Sequence, residues 1–113
     1  MKLTQIALPF AIAALAGFST QTMAAVDAAA AQALFKKNDC TKCHSVDKSK
    51  KGPALKKIAA KYKGKADGQA SIVKNITSGS KVKLDDGSEE EHKIIDTKDQ
   101  AALKNLADWV LAQ

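Results

Sequence analysis

Beyond an apolar run over residues 6–18, hydrophobic positions recur at helical spacing in four short stretches, separated by polar caps and turns. Asp27 offers an N-cap to the first, over 28–37, whose apolar side is Leu34 and Phe35. Pro53 suits the first turn of a second helix over 54–62, with Leu55, Ile58 and Ala59 on one side and Gly64 just past its end. Gly68 precedes a third over 69–78, where Ile72, Val73 and Ile76 make the stripe and Gly79 supplies the stop. The last is the most regular. Leu103, Leu106, Ala107, Val110 and Leu111 line one face with Trp109 at its edge, behind Thr97-Lys98-Asp99-Gln100, which has the form of a capping box. Residues 80–96 are charged and only weakly patterned, with a turn at Asp86-Gly87 that suits a small hairpin. Four helices without a convincing sheet predict an all-α domain. Phe35 and Trp109 place its closure where the first and last helices cross. There is no internal repeat and no sign of a second domain.

The chain has 113 residues, room for one small domain. Lys2, the apolar run after it and the small residues around Met23-Ala24-Ala25 read as a secretory signal. The run is short for a bilayer span and Pro9 interrupts it, although a retained N-terminal anchor is the alternative. Cleavage near Ala24 leaves residues 25–113 as an exported, periplasmic domain without a membrane span. So small a domain buries a modest core, and Phe35, Tyr62 and Trp109 are its only aromatic residues, so a metal or covalent staple is expected to complete it. Without that staple the chain should fold poorly.

The formal charge is +6, and all eighteen basic residues are lysines. Lys36, Lys37, Lys42, Lys48, Lys50, Lys51, Lys56 and Lys57 cluster in one part of the chain. They make either a rim that steers an acidic partner or a merely solvated surface. Nucleic acid is an unsuitable partner: no arginine fork is available and no aromatic residue interleaves the lysines.

Within that cluster lies Cys40-Thr41-Lys42-Cys43-His44, the form of a c-type haem attachment site. Two thiols three residues apart can bond neighbouring edges of one porphyrin, and the adjacent imidazole can ligate its iron. Other readings of these residues are weaker. A thioredoxin-like redox pair wants a β/α scaffold. A zinc site formed by Cys40, Cys43, His44 and His92 has the right number of ligands, but adjacent Cys43 and His44 suit one tetrahedral ion badly. A disulfide across so short a loop would stabilise little. Asp85-Asp86-Gly87-Ser88-Glu89 lacks the alternating spacing of a calcium loop and reads as a solvated turn.

The chain resembles the class I monohaem cytochromes c, particularly the small bacterial type. The resemblance runs through the helix before Cys40, the Cys40–His44 motif, Lys51-Gly52-Pro53-Ala54 and the ending Leu106-Ala107-Asp108-Trp109-Val110-Leu111. It implies one covalent haem c inside a domain of about four helices, with Cys40 and Cys43 attached to it and His44 on the iron. It also implies that the Pro53 carbonyl accepts from the second nitrogen of His44. In that family a methionine in a proline-flanked loop, about sixteen residues before the last-helix tryptophan, supplies the distal ligand. Here the only methionines are Met1 and Met23, and that place holds Lys93 with His92 beside it. His92, the one histidine besides His44, is therefore expected on the iron; Lys81, Lys83, Lys93 and an open position are the alternatives. Lysine would first have to lose its proton.

The expected function is one-electron transfer between periplasmic redox proteins, as a monomer that is not itself an enzyme. A bis-histidine iron should have a lower potential than a methionine-ligated one. An open distal site would instead suit a binder or sensor of carbon monoxide, nitric oxide or peroxide. A third reading is a haem subunit of a larger oxidoreductase.

Overall fold

The four helices form where caps and glycines permit them and meet around the stripes they bury. The computed structural model describes residues 25–113, together with Gly17. Apart from Gly17, the expected leader, residues 1–24, lies outside the described residues. Helix α1 spans Ala28–Lys37, with the Asp27 carboxylate accepting from the Ala30 N–H at 3.0 Å. Helix α2 spans Leu55–Tyr62, and Gly64 follows it at φ +77°. Helix α3, Gly68–Thr77, ends before Gly79 at φ +62°, and helix α4 spans Gln100–Leu111. No described helix is long and apolar enough to cross a membrane.

α4 is the hub and packs on the other three helices. Leu103, Leu106 and Ala107 are almost wholly buried along it, and Ala31, Leu55 and Ile72 meet them from α1, α2 and α3. Phe35 and Trp109 meet edge to face, ring centres 5.6 Å apart, where α1 crosses α4. A two-way clip locks the same crossing: the Asp27 N–H donates to Asn105 Oδ1, and Asn105 Nδ2 donates to the Asp27 carbonyl, each at 2.8 Å.

Two local expectations are corrected. The cap of α4 is Asp99, whose carboxylate accepts from the Ala102 N–H at 3.0 Å, so the helix starts two residues later than a capping box at Thr97 requires. Gln100 is thereby the first helical residue and cannot reach back to its own cap. The Thr97 hydroxyl instead accepts from the Asp99 N–H. Trp109 is buried rather than marginal, because Phe35 covers it.

The weakly patterned segment does contain a hairpin, of strands β1, Lys81–Lys83, and β2, Glu89–Glu91. Lys81 faces Glu91 and Lys83 faces Glu89, so residues of opposite charge stand in register across it, and Gly87 turns it at φ +85°. With three residues per strand it leaves the domain essentially all-α. The hairpin matters because it fixes the start of the segment that carries His92. The His92 N–H donates to the Ser80 carbonyl at 2.9 Å, and the Ile95 N–H donates to the Ile76 carbonyl at 2.8 Å. Buried Ile95 anchors the far end, so residues 92–95 are held at both ends against the body of the fold.

Candidate haem site

A 3₁₀ turn over Cys40–Lys42 follows α1. Asp39 enters it at φ +57°, the left-handed region that aspartate tolerates better than most side chains. The Cys43 and His44 N–H groups both donate to the Cys40 carbonyl, at 3.2 and 2.9 Å, and this tight winding keeps the two thiols and the imidazole within one turn. Both thiols are free.

The chain then doubles back. The Gly52 N–H donates to the Cys43 carbonyl at 2.9 Å, and the Pro53 carbonyl lies 2.7 Å from His44 Nδ1. A carbonyl can only accept, so Nδ1 carries the proton and Nε2 presents its lone pair. Burial lowers the His44 pKa, which likewise keeps the ring neutral, and burial pushes the Cys40 thiol up.

Gly52 is required here by close approach. A Cβ on it would lie 2.7 Å from His44 Cε1 and 3.1 Å from Nδ1. Gly52→Ala should push the ring off the Pro53 carbonyl and lower the holoprotein's stability by about 1–3 kcal/mol. Thermal melts of the two holoproteins measure this, and an unchanged midpoint contradicts it.

Across from His44 stands His92. Its Nδ1 lies 2.9 Å from the Lys93 carbonyl, which by the same reasoning frees its Nε2. The two ring centres are 6.2 Å apart, with planes inclined at 40°. Two metal–imidazole bonds of about 2 Å, each extended by about 1.1 Å from the ligating nitrogen to the ring centre, place axial rings about 6 Å apart. The separation thus fits one metal ion between the rings. The surrounding space fits a flat group around that ion. A cavity of about 380 Å³ lies on one side, lined by Phe35, Leu55, Ile72, Leu106 and Val110 among others. A second, of about 270 Å³, lies on the other, with Cys43 in its wall. Cys40, His44, Pro53, Val82 and His92 border both cavities, so the histidine pair stands between them. The residues present therefore fit a haem attached through Cys40 and Cys43.

The alternatives fare less well. Among the described residues, no three of His, Cys, Asp and Glu gather closely enough to hold a bare metal ion, so the zinc reading lacks its geometry. Lys93, which stands where the family's methionine is expected, holds Asp39 Oδ2 at 2.9 Å. Lys81 and Lys83 lie opposite glutamates in the hairpin.

The clustered lysines are all exposed, and some are compensated: Lys56 pairs with Asp47, and Lys42 with Asp39 at 3.5 Å. The opening beside Cys43 carries both signs, with Lys42, Lys83 and Lys93 set against Asp39, Glu90 and Glu91. Sequence reasoning missed this mixture and the Asp39–Lys93 contact, which joins residues 54 positions apart. It also missed that the hairpin wall supplies Val82. The Asp86-Gly87 turn was the signal for the hairpin, but nothing in it showed which side chain would face the site.

A family model described as Cytochrome c matches residues 28–112. Cytochrome c-551 of Pseudomonas aeruginosa is 31% identical over 105 residues, which cover 93% of this chain and 97% of that one. Cytochrome c-551 of Pseudomonas denitrificans is 52% identical over 48 residues, covering 42% of this chain and 58% of the relative. The crystal structure of the class 1 cytochrome MtoD from Sideroxydans lithotrophicus ES-1 superposes with a TM-score of 0.75 at 54% identity, covering 78% of this chain and 97% of that one.

Proposed function

The chain belongs to the cytochrome c family, and we propose that it is a small haem c electron carrier whose iron is held between His44 and His92. When bound, haem c supplies a one-electron iron couple. Cys40 and Cys43 tether the group, so it cannot dissociate. His44 would be the proximal ligand, and the Pro53 carbonyl accepts a hydrogen bond from its Nδ1–H, which fixes the ring and raises its basicity. The Lys93 carbonyl does the same for His92. Because both rings are pinned by the backbone, neither has to move when the charge on the iron changes.

The observation that carries this reading is the 6.2 Å separation of two imidazoles whose Nδ1 atoms are both engaged by carbonyls. An open distal site, as a gas sensor or peroxide binder needs, has no comparable observation behind it. We further read residues 1–24 as a cleaved leader and 25–113 as the working domain, a periplasmic monomer that exchanges electrons with redox proteins. The exposed lysines would steer an acidic partner, and the mixed charges beside Cys43 would temper that steering at contact range.

Methionine ligation raises haem potentials, so the holoprotein should titrate below a methionine-ligated cytochrome c measured in the same buffer. Protein-film voltammetry makes the comparison. A potential within the methionine-ligated range would remove His92 from the iron.

A further inference from the structure

We infer that the Asp39–Lys93 ion pair is a latch across the haem slot, and that the Asp39 carboxylate positions the distal imidazole. The inference rests on the proposed ligation by His92. Asp39 immediately precedes Cys40, so it belongs to the segment that carries both thiols and His44. Lys93 immediately follows His92, and its carbonyl is the group that orients the His92 ring, at 2.9 Å from Nδ1. The Lys93 ammonium meets Asp39 Oδ2 at 2.9 Å, so one residue holds the distal ring with its backbone and the proximal segment with its side chain.

The remaining restraints on residues 92–95 run elsewhere. The His92 N–H reaches Ser80 at the foot of the hairpin, and Ile95 reaches Ile76 in α3. Among the described ion pairs and side-chain hydrogen bonds, only Asp39–Lys93 joins the distal segment to the proximal one. No proline stiffens that segment, because the chain's prolines are Pro9 and Pro53. The hydrogen bond to Lys93, with Lys42 nearby, also holds the Asp39 carboxyl below its usual range, so it stays charged at neutral pH.

Conformation dictates the choice of variant. Asp39 sits at φ +57°, where asparagine is tolerated as well as aspartate, so Asp39→Asn removes the charge without straining the turn. The pair is solvent-exposed and its effect should be modest and salt-sensitive. In the ferric holoprotein at low ionic strength, cyanide can enter only as fast as the distal ligand leaves. Asp39→Asn should raise that entry rate about two- to fivefold. Lys93→Gln should match it, and the double variant should exceed neither single variant. Added salt should bring the wild-type rate up toward that of Asp39→Asn and leave the variant's rate nearly unchanged. Lys42→Gln, which removes only the other partner of Asp39, should behave as wild type.

Equal cyanide rates for wild type and Asp39→Asn at low salt would overturn the latch. So would an equal acceleration in Lys42→Gln, which would point to general electrostatics. The salt series on the wild type needs no variant at all, and a flat profile would also overturn it. Failure of the underlying ligation looks different: the wild-type ferric spectrum would already be high-spin, and His92→Ala would leave it unchanged.

Discussion

His92→Ala should convert the ferric holoprotein from low-spin to high-spin and open it to cyanide and, when reduced, to carbon monoxide. The expectation follows from geometry. His92 is the imidazole that faces His44 at 6.2 Å, and the nearest lysine in sequence, Lys93, is engaged by Asp39. Removing the ring leaves one strong axial nitrogen, and the spin state follows the ligand field. His92→Met is the complementary test, because it exchanges the donor atom while still offering a ligand. It should raise the reduction potential by at least about 59 mV, a tenfold shift in favour of the reduced form for one electron. Absorption spectra and voltammetry of the two variants read both effects. A low-spin His92→Ala protein with an unchanged potential would mean that another residue holds the sixth position.

Haem-free protein should show no cooperative thermal transition. Phe35, Leu55, Ile72, Leu106 and Val110 are core residues, yet all five also line the larger cavity. Without the cofactor, an opening of about 380 Å³ leaves these five side chains lacking partner atoms on one side. A domain of about 90 residues has a total stability of only about 4–13 kcal/mol, so little margin remains for that loss. The opening faces solvent, and the chain would wet it or collapse into it, but either route gives up native packing. A Cys40→Ser/Cys43→Ser chain made without haem, followed by circular dichroism on heating, is the direct check. A sharp melt with native helicity would show that the four helices pack without the cofactor.

The ease with which the helices could be read has a physical cause. Each stripe is local, and several ends are marked by a residue whose own chemistry starts or stops a helix: Asp27, Gly64 and Gly79 act where they stand. At α4 two acceptors, Thr97 and Asp99, compete within three residues. The carboxylate that caps the first turn prevails, which no spacing rule decides. Trp109 was harder to place because its burial depends on Phe35, a partner at the other end of the chain. The candidate site divides in the same way. Cys40, Cys43 and His44 are legible because one turn of backbone holds them. Pro53 and His92 were reached through resemblance to a family, one as a second nitrogen's acceptor and the other as an occupant of a vacated position. The Gly52 contact with His44, the wall supplied by Val82 and the Asp39–Lys93 pair were not legible, since each arises only when the chain doubles back across the slot.

Whether two imidazoles share one iron can be read from near-infrared magnetic circular dichroism of the ferric holoprotein. The energy of the charge-transfer band depends on the axial pair. Ligation by His44 and His92 should give a low-spin band at the position typical of bis-imidazole haem, lost in His92→Ala. A band typical of histidine–lysine ligation, or a high-spin spectrum in the wild type, would contradict it.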